Sequence, residues 1–179
     1  MSKNVILSEI KKGKTFKIGD VEFIKFFDEN GETVAVTKDL IFFSCFGDNN
    51  DLRNSEILKR LNDEFLTKLA EAIGEENICT IKTDLTTFDG LKPYETMESK
   101  VSLPTLDFYR TNVAIFDEYK IDNWWWLATP ESAQPHSAPD WFLCVAPSGF
   151  VISNFFCNGG CGVRPFLRFV SSISVSSEE

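Results

Sequence analysis

Trp124-Trp125-Trp126-Leu127-Ala128-Thr129-Pro130 decides the reading of this chain, together with Gly162-Val163-Arg164-Pro165-Phe166-Leu167 further on. Three consecutive tryptophans bring a large apolar area to one place and predict a compact, aromatic-rich domain suited to binding. In an extended run Trp125 and Trp126 point to opposite faces, so one is expected to fill the core and the other to cover a loop. Arg164 offers five donors in a fixed fork and reads as a scaffold residue whose guanidinium satisfies loop carbonyls or a carboxylate. Pro165 removes a ladder donor, which places its strand at an edge or a break.

Outward from that block, composition narrows the class. At 179 residues the chain supports one well-buried core, and its seventeen Phe and four Trp serve either a core or a binding surface. A net charge of −9 argues against a general nucleic-acid binder, which needs cations facing the phosphates. It suits solubility, a basic partner or mimicry of a polyanion. The five cysteines, Cys45, Cys79, Cys144, Cys157 and Cys161, are odd in number and irregular in spacing. With no signal peptide and no apolar run of membrane-spanning length, the expectation is a cytoplasmic protein with reduced thiols and no membrane contact.

Local patterns predict the elements. Residues 15–46 read as β structure, with Asn30-Gly31 as a tight hairpin turn and Leu40–Phe46 as a buried strand. A helix is predicted over 55–73, with Ser55 as N-cap and Gly74 just past its end. Asn62 falls inside its apolar arc, where a polar amide needs partners, and is assigned to tying down a neighbouring loop. A strand at 78–82 and a helix from Leu106 to about Ile115, capped by Thr105, come next. Strands at 141–146 and 150–156 flank the turn Pro147-Ser148-Gly149, and Val163–Phe169 closes the fold. The organisation expected is an N-terminal lead over 1–14, a single domain over 15–170, and a flexible acidic, Ser-rich tail over 171–179.

The order of these pieces resembles a known group. Ile18-Gly19-Asp20, Ser55-Glu56-Ile57 with Leu61-Asn62 and Phe65, Ser102-Leu103-Pro104-Thr105-Leu106, Trp125-Trp126-Leu127 and Gly162-Val163-Arg164-Pro165 are similar to an uncharacterised C-type-lectin-like domain family of gut bacteria, their phages and mobile elements. The resemblance implies an α+β, C-type-lectin-like fold, with antiparallel sheets and two flanking helices. More distantly, the closing block is similar to formylglycine-generating (sulfatase-modifying) enzymes and to the variable proteins of diversity-generating retroelements. In those proteins the closing strand belongs to the scaffold and the segment before it faces the ligand, and the resemblance implies the same division here.

Candidate chemistry is sparse. Cys157-Asn158-Gly159-Gly160-Cys161 invites comparison with the copper-binding cysteine pair of the formylglycine-generating enzymes, but its spacing differs and the glycine-rich tryptophan motif is missing. Cys144, Cys157, Cys161 and His136 lack the paired spacings of a zinc site. Ser148 lacks the strand-to-helix elbow of a nucleophilic serine, and Asp84 and Asp89 sit in a turn-forming segment where they bond their own backbone. No catalytic residue, metal or cofactor is therefore assigned. The binding candidates are Trp141, Asn154, Phe155, Phe156 and Asn158; alternation places Phe150, Ile152, Asn154 and Phe156 on one face. Asn62, Trp125, Trp126 and Arg164 are assigned structural roles.

Three functions follow in order of expectation. The first is a non-catalytic binding protein of phage or mobile-element origin that recognises a protein, or a glycan, through loops before Gly162. The second is an acidic intracellular inhibitor of a host defence nuclease, of anti-CRISPR type. The third is a copper-dependent thiol oxidase of the formylglycine-generating type.

Overall fold

The computed structural model describes residues 3–177, apart from the side chains of Asn154 and Phe155. Four strands come first: β1 (Lys3–Ile6), β2 (Thr15–Ile18), β3 (Val21–Glu29) and β4 (Glu32–Thr37). Asn30 and Gly31 turn β3 onto β4 with φ of 53° and 80°. Two successive positive φ angles match the right-handed twist of the flanking strands. β5 (Phe42–Ser44) is shorter than the apolar run Leu40–Phe46 predicts. The chain leaves the ladder at Cys45, and the Phe46 amide donates to the Cys157 carbonyl at 2.7 Å instead.

The predicted long helix is interrupted. α1 (Glu56–Arg60) and α2 (Leu66–Ile73) are joined by a π-helical turn over Leu61–Phe65. Ser55 Oγ accepts from the Leu58 amide at 3.0 Å, and Gly74 takes φ 81° at the other end. After β6 (Ile81–Asp84), β7 (Thr96–Ser99) and β8 (Val101–Ser102), the second predicted helix splits into α3 (Leu106–Thr111) and α4 (Val113–Glu118). Asn112 breaks it: its Nδ2 donates to the Phe108 carbonyl at 2.9 Å, the local side-chain bond with which asparagine competes against a helix. β9 (Trp125–Pro130), β10 (Trp141–Val145), β11 (Val151–Phe156), β12 (Cys161–Val163), β13 (Phe166–Val170) and β14 (Ser174–Ser177) complete the chain.

Two expectations about the ends need correction. Residues 1–14 were expected to lead into the domain and 171–179 to trail from it, yet β1 and β14 pair with each other from Lys3–Ser177 to Ile6–Ser174. β14 then continues onto β2 through Ser176–Lys17. The serines mislead because they carry no apolar pattern; backbone pairing, with Val175 buried beneath, holds the strand. Lys25 adds a tie: its buried Nζ donates to the carbonyls of Leu7 and Ser8 at 2.9 and 3.2 Å and pairs with Asp28.

Among the described residues the strands form three sheets, in the orders β1-β14-β2-β3-β4-β13-β8, β11-β10-β9-β12-β5 and β6-β7. The pairs are antiparallel except β9–β12. The architecture is α+β, mostly antiparallel with few helices. Val163 ends one sheet and Phe166 begins another, so the chain changes sheets across Arg164-Pro165. Proline, which donates nothing to a ladder, sits at that break.

Both large sheets are covered on both faces. One core holds Phe16, Phe23 and Phe169 with Ile57, Leu61 and Leu69 of the long helix and with Trp126. The other holds Ile24, Phe26 and Val36 with Tyr109 and Phe116 of α3 and α4 and with Trp125. Trp125 and Trp126 do alternate, but neither covers a loop: they are 2% and 0% exposed, one in each core. A buried Trp removes about 150–250 Å² from water, worth about 4–6 kcal/mol at about 25 cal/mol per Å². β9 thus joins the two cores.

Candidate functional site

The loop face of the smaller sheet is laced together by one asparagine. Asn50, completely buried, donates through Nδ2 to the carbonyls of Ser132 and Trp141 at 2.8 and 3.0 Å. Its Oδ1 accepts from the Tyr94 hydroxyl at 2.6 Å, and its amide donates to the Pro139 carbonyl at 2.8 Å. One side chain therefore fixes the β9–β10 connection, the start of β10 and the β6–β7 connection. Beside it, the Asp51 carboxylate takes Nε and Nη2 of Arg53, each at 2.8 Å, and Arg53 lies 5.5 Å from the Tyr94 ring.

A second carboxylate gathers the same loops. Asp89 accepts from Thr87 Oγ1 and from Ser132 Oγ at 2.6 Å, and His136 Nδ1 lies 2.8 Å from its Oδ2. The two hydroxyl bonds, followed by His136, hold its carboxyl well below the usual carboxylate range. Asp84 does bond locally, to the amide and hydroxyl of Thr86, but Asp89 reaches across to 132 and 136. Among the described residues no hydroxyl or thiol hydrogen-bonds His136 Nε2, and Ser132 is spent on the carboxylate. Among the described residues no nucleophile–base–acid relay is assembled around His136.

On this pinned frame stand the aromatic candidates. Trp141 is half-buried and its ring centroid lies 4.0 Å from that of Phe156, which is 52% exposed. Asn158 is exposed beside them, while Cys157 between is buried. The side chains of Asn154 and Phe155 lie outside the described residues. The expectation that Phe150, Ile152, Asn154 and Phe156 share one face does not hold. Phe142 pairs with Phe155 but Cys144 with Ile152, so β11 carries one extra residue between them. That bulge reverses the alternation and turns Phe156 to the side of Trp141, its directly paired neighbour.

The structural residues are placed as follows. Arg164, 1% exposed, donates Nε to the Thr37 carbonyl at 2.9 Å and Nη2 to the carbonyls of Lys38 and Tyr119 at 3.1 and 3.3 Å. Its guanidinium also faces the rings of Phe116 and Trp125. Burial pulls its pKa down to about 10, which leaves it charged at neutral pH. Asn62 donates to the carbonyls of Leu58 and Val101 at 3.0 and 2.9 Å and accepts the amides of Lys100 and Val101 at 3.2 and 3.0 Å. It sits in the π-helical turn, where the widened register aims its amide at the strand entering β8.

The thiols do not form the cysteine pair that copper chemistry would use. Cys161 Sγ lies 3.5 Å from Cys144 Sγ, not from Cys157, whose thiol points to the Pro139 carbonyl. β9 runs between the strands of Cys144 and Cys161, so their backbones stand two strand spacings apart, about 9–10 Å, beyond the reach of a disulfide. Burial pushes the Cys144 thiol up and raises Cys157 to about 12, so neither offers a thiolate at neutral pH. Among the described residues no cluster of three or more His, Cys, Asp or Glu is placed to hold a metal ion.

Asn50, Tyr94 and the Asp89–Ser132–His136 network are what sequence reasoning missed. Asn50 stands in a loop of four polar residues, Asp48 to Asp51, any of which looks equally exposed. No helix among the described residues is long and apolar enough to cross a membrane. No family model, curated protein or solved structure matches the chain.

Proposed function

We propose that this chain is a non-catalytic binding protein, of phage or mobile-element origin, that recognises a protein, or a glycan, on a C-type-lectin-like scaffold. The recognition surface is the pinned loop face, with Phe156 packed against Trp141 and Asn158 at its rim. The observation that carries the reading is that pair: a large aromatic is half-exposed, yet backed by a half-buried tryptophan whose carbonyl Asn50 pins. Rigid aromatic anchors lose little entropy on binding, and a neighbouring amide adds direction. Among the described residues these loops gather no metal-binding cluster, and their His136 is committed to Asp89.

The test is capture of partners from bacterial lysate and on a glycan array, by the native chain and by Phe156→Ser, at low and high salt. Retention at high salt that is lost in Phe156→Ser supports the aromatic contact. Capture indifferent to that substitution overturns it.

The net charge of −9 favours a second reading, an acidic inhibitor of a host defence nuclease that occupies a basic nucleic-acid channel. It expects a captured nuclease that washes off with salt, whether or not Phe156 is present.

A further inference from the structure

Two Asn-Gly pairs occur in the chain, Asn30-Gly31 and Asn158-Gly159, and both asparagines are exposed. The pairing matters chemically because glycine has no side chain to crowd its own amide nitrogen, and its backbone turns more freely than that of any other residue. That nitrogen reaches the side-chain carbonyl of the preceding asparagine wherever the backbone between them is free to rotate. The structure gives the two pairs opposite freedom.

Asn30 is locked. It turns β3 onto β4 with φ 53°, Gly31 follows at 80°, and the flanking residues pair directly, Glu29 with Glu32 and Asp28 with Thr33. The Gly31 carbonyl also accepts the Ser171 amide at 2.9 Å, so swinging Gly31 onto the Asn30 side chain would open the hairpin and this tie together. Asn158 stands differently. Buried Cys157 and Cys161 bracket it, the first held by its amide on the Asp140 carbonyl at 3.0 Å, the second by the pairing of β12 with β5. Between them, among the described residues, one backbone hydrogen bond holds the chain, from the Gly159 amide to the Phe156 carbonyl at 2.9 Å. The Asn158 side-chain amide makes no hydrogen bond among the described residues, and a Cβ placed on Gly160 meets nothing within 4 Å.

We propose that Asn158 is a site of spontaneous deamidation, an enzyme-free modification that puts a carboxylate on the rim of the Trp141–Phe156 pair. The Gly159 nitrogen, having lost its proton to hydroxide, forms a bond to Asn158 Cγ. The Cγ–Nδ2 bond breaks, and Nδ2 leaves as ammonia with a proton taken from water. The cyclic succinimide then adds a water at either carbonyl and opens to aspartate or isoaspartate. A water is consumed, an ammonia is released, and nothing is oxidised or reduced. Opening the single Gly159–Phe156 bond admits the attack, a local event that costs far less than separating paired strands. The new charge falls in a stretch, 121–163, that holds Asp122, Glu131 and Asp140 but no lysine or arginine. The rim therefore changes from a neutral amide to an anion, which favours cationic over anionic partners. The chemistry is independent of the recognition reading, and only its effect on partners rests on that reading.

The experiment is incubation of the native chain at mildly alkaline pH, beside the same chain in denaturant, followed by site-resolved peptide mass mapping and isoaspartate detection. The expected result in the native chain is conversion at Asn158 roughly tenfold faster than at Asn30, with comparable rates at both in denaturant. Both aspartate and isoaspartate should accumulate. Gly159→Ala slows the native reaction by a similar factor, since a Cβ crowds the attacking nitrogen. Asn158→Gln, at an exposed position that leaves the fold intact, abolishes it. The proposal is overturned by native conversion at Asn30 that equals or exceeds that at Asn158, or by no native conversion at Asn158 over a period in which the denatured chain converts. Aspartate without isoaspartate overturns it as well, since the amide would then be hydrolysed directly. Capture of partners by Phe156→Ser decides the recognition reading and leaves these outcomes unchanged, so each fails separately.

Discussion

The Arg164 guanidinium lies 5.3 Å from the centre of the Trp125 ring, so the two sequence blocks that dominate this chain meet inside the second core. The contact explains why a charge is tolerated there. Three carbonyls take the guanidinium protons, and the faces of Trp125 and Phe116 take its flat surface.

Lysine does not replace this arginine. Arg164→Lys loses the fork and the stacking plane, leaves at least one buried carbonyl without a donor, and is expected to cost about 2–4 kcal/mol. Urea unfolding should show a lower midpoint at unchanged slope. A midpoint equal to that of the native chain would remove Arg164 from the scaffold.

Asn62 holds the chain at the start of β8 by three hydrogen bonds, one given to Val101 and two accepted from Lys100 and Val101, and gives a fourth to Leu58 in its own helix. Asn62→Ala is expected to cost about 2–3 kcal/mol. The change should also speed hydrogen exchange at the Lys100 and Val101 amides more than at the strand β3 amides. Uniform acceleration would mean that the tie is not local.

Thiol reactivity should separate the cysteines. Cys45 is exposed, whereas burial raises Cys79 to about 11 and Cys157 to about 12. Native protein treated with iodoacetamide near pH 8 is expected to label Cys45 first, and all five thiols only in denaturant. The raised values also set a sign. The folded state keeps these protons above pH 9 while the unfolded chain releases them, so stability falls as pH rises from about 9 toward 12. Rapid native labelling of Cys157 or Cys161 contradicts the packing described.

Acid should loosen the loop face through Asp89. Its carboxyl is held low by Ser132, Thr87 and His136. Its contribution is therefore complete above about pH 4 and is lost as pH falls through the lowered value. Asp89→Asn is expected to be less stable at neutral pH and to show a shallower acid limb, read by circular dichroism. Parallel acid limbs would mean that the carboxylate adds nothing.

Gly162 owes its place to Leu40. A Cβ built there overlaps the Leu40 side chain at Cγ and both methyls, so Gly162→Ala must displace Leu40. Overpacking of this kind costs about 1–3 kcal/mol. The Leu40 methyl resonances report the displacement directly, and a variant with unmoved methyls and native stability would refute the contact.

How far the fold was legible depends on how local each signal is. The Asn30-Gly31 hairpin, the Ser55 cap and the apolar stripe of the long helix all follow from neighbours along the chain, and all appear. The π-helical turn does not, because Asn62 finds its partners at Lys100 and Val101; the split at Asn112 rests on a local bond to Phe108 that apolar periodicity does not register. The β14 serines carry no apolar alternation and gain their order from β1, at the opposite end of the chain.

By itself, the sequence determined an aromatic block at Trp124–Trp126, a tight hairpin at Asn30-Gly31, a helix capped by Ser55 and a scaffold arginine beside a proline break. Hydrophobic area, turn chemistry and donor count are properties of the residues themselves. Only the tertiary structure decided that Phe156 turns toward Trp141, that Cys161 meets Cys144, and that Asn50 rather than its polar neighbours pins the loops. The reason is physical: one extra residue in a strand reverses every face beyond it. Contacts between loops distant in sequence likewise leave no periodic trace in the chain.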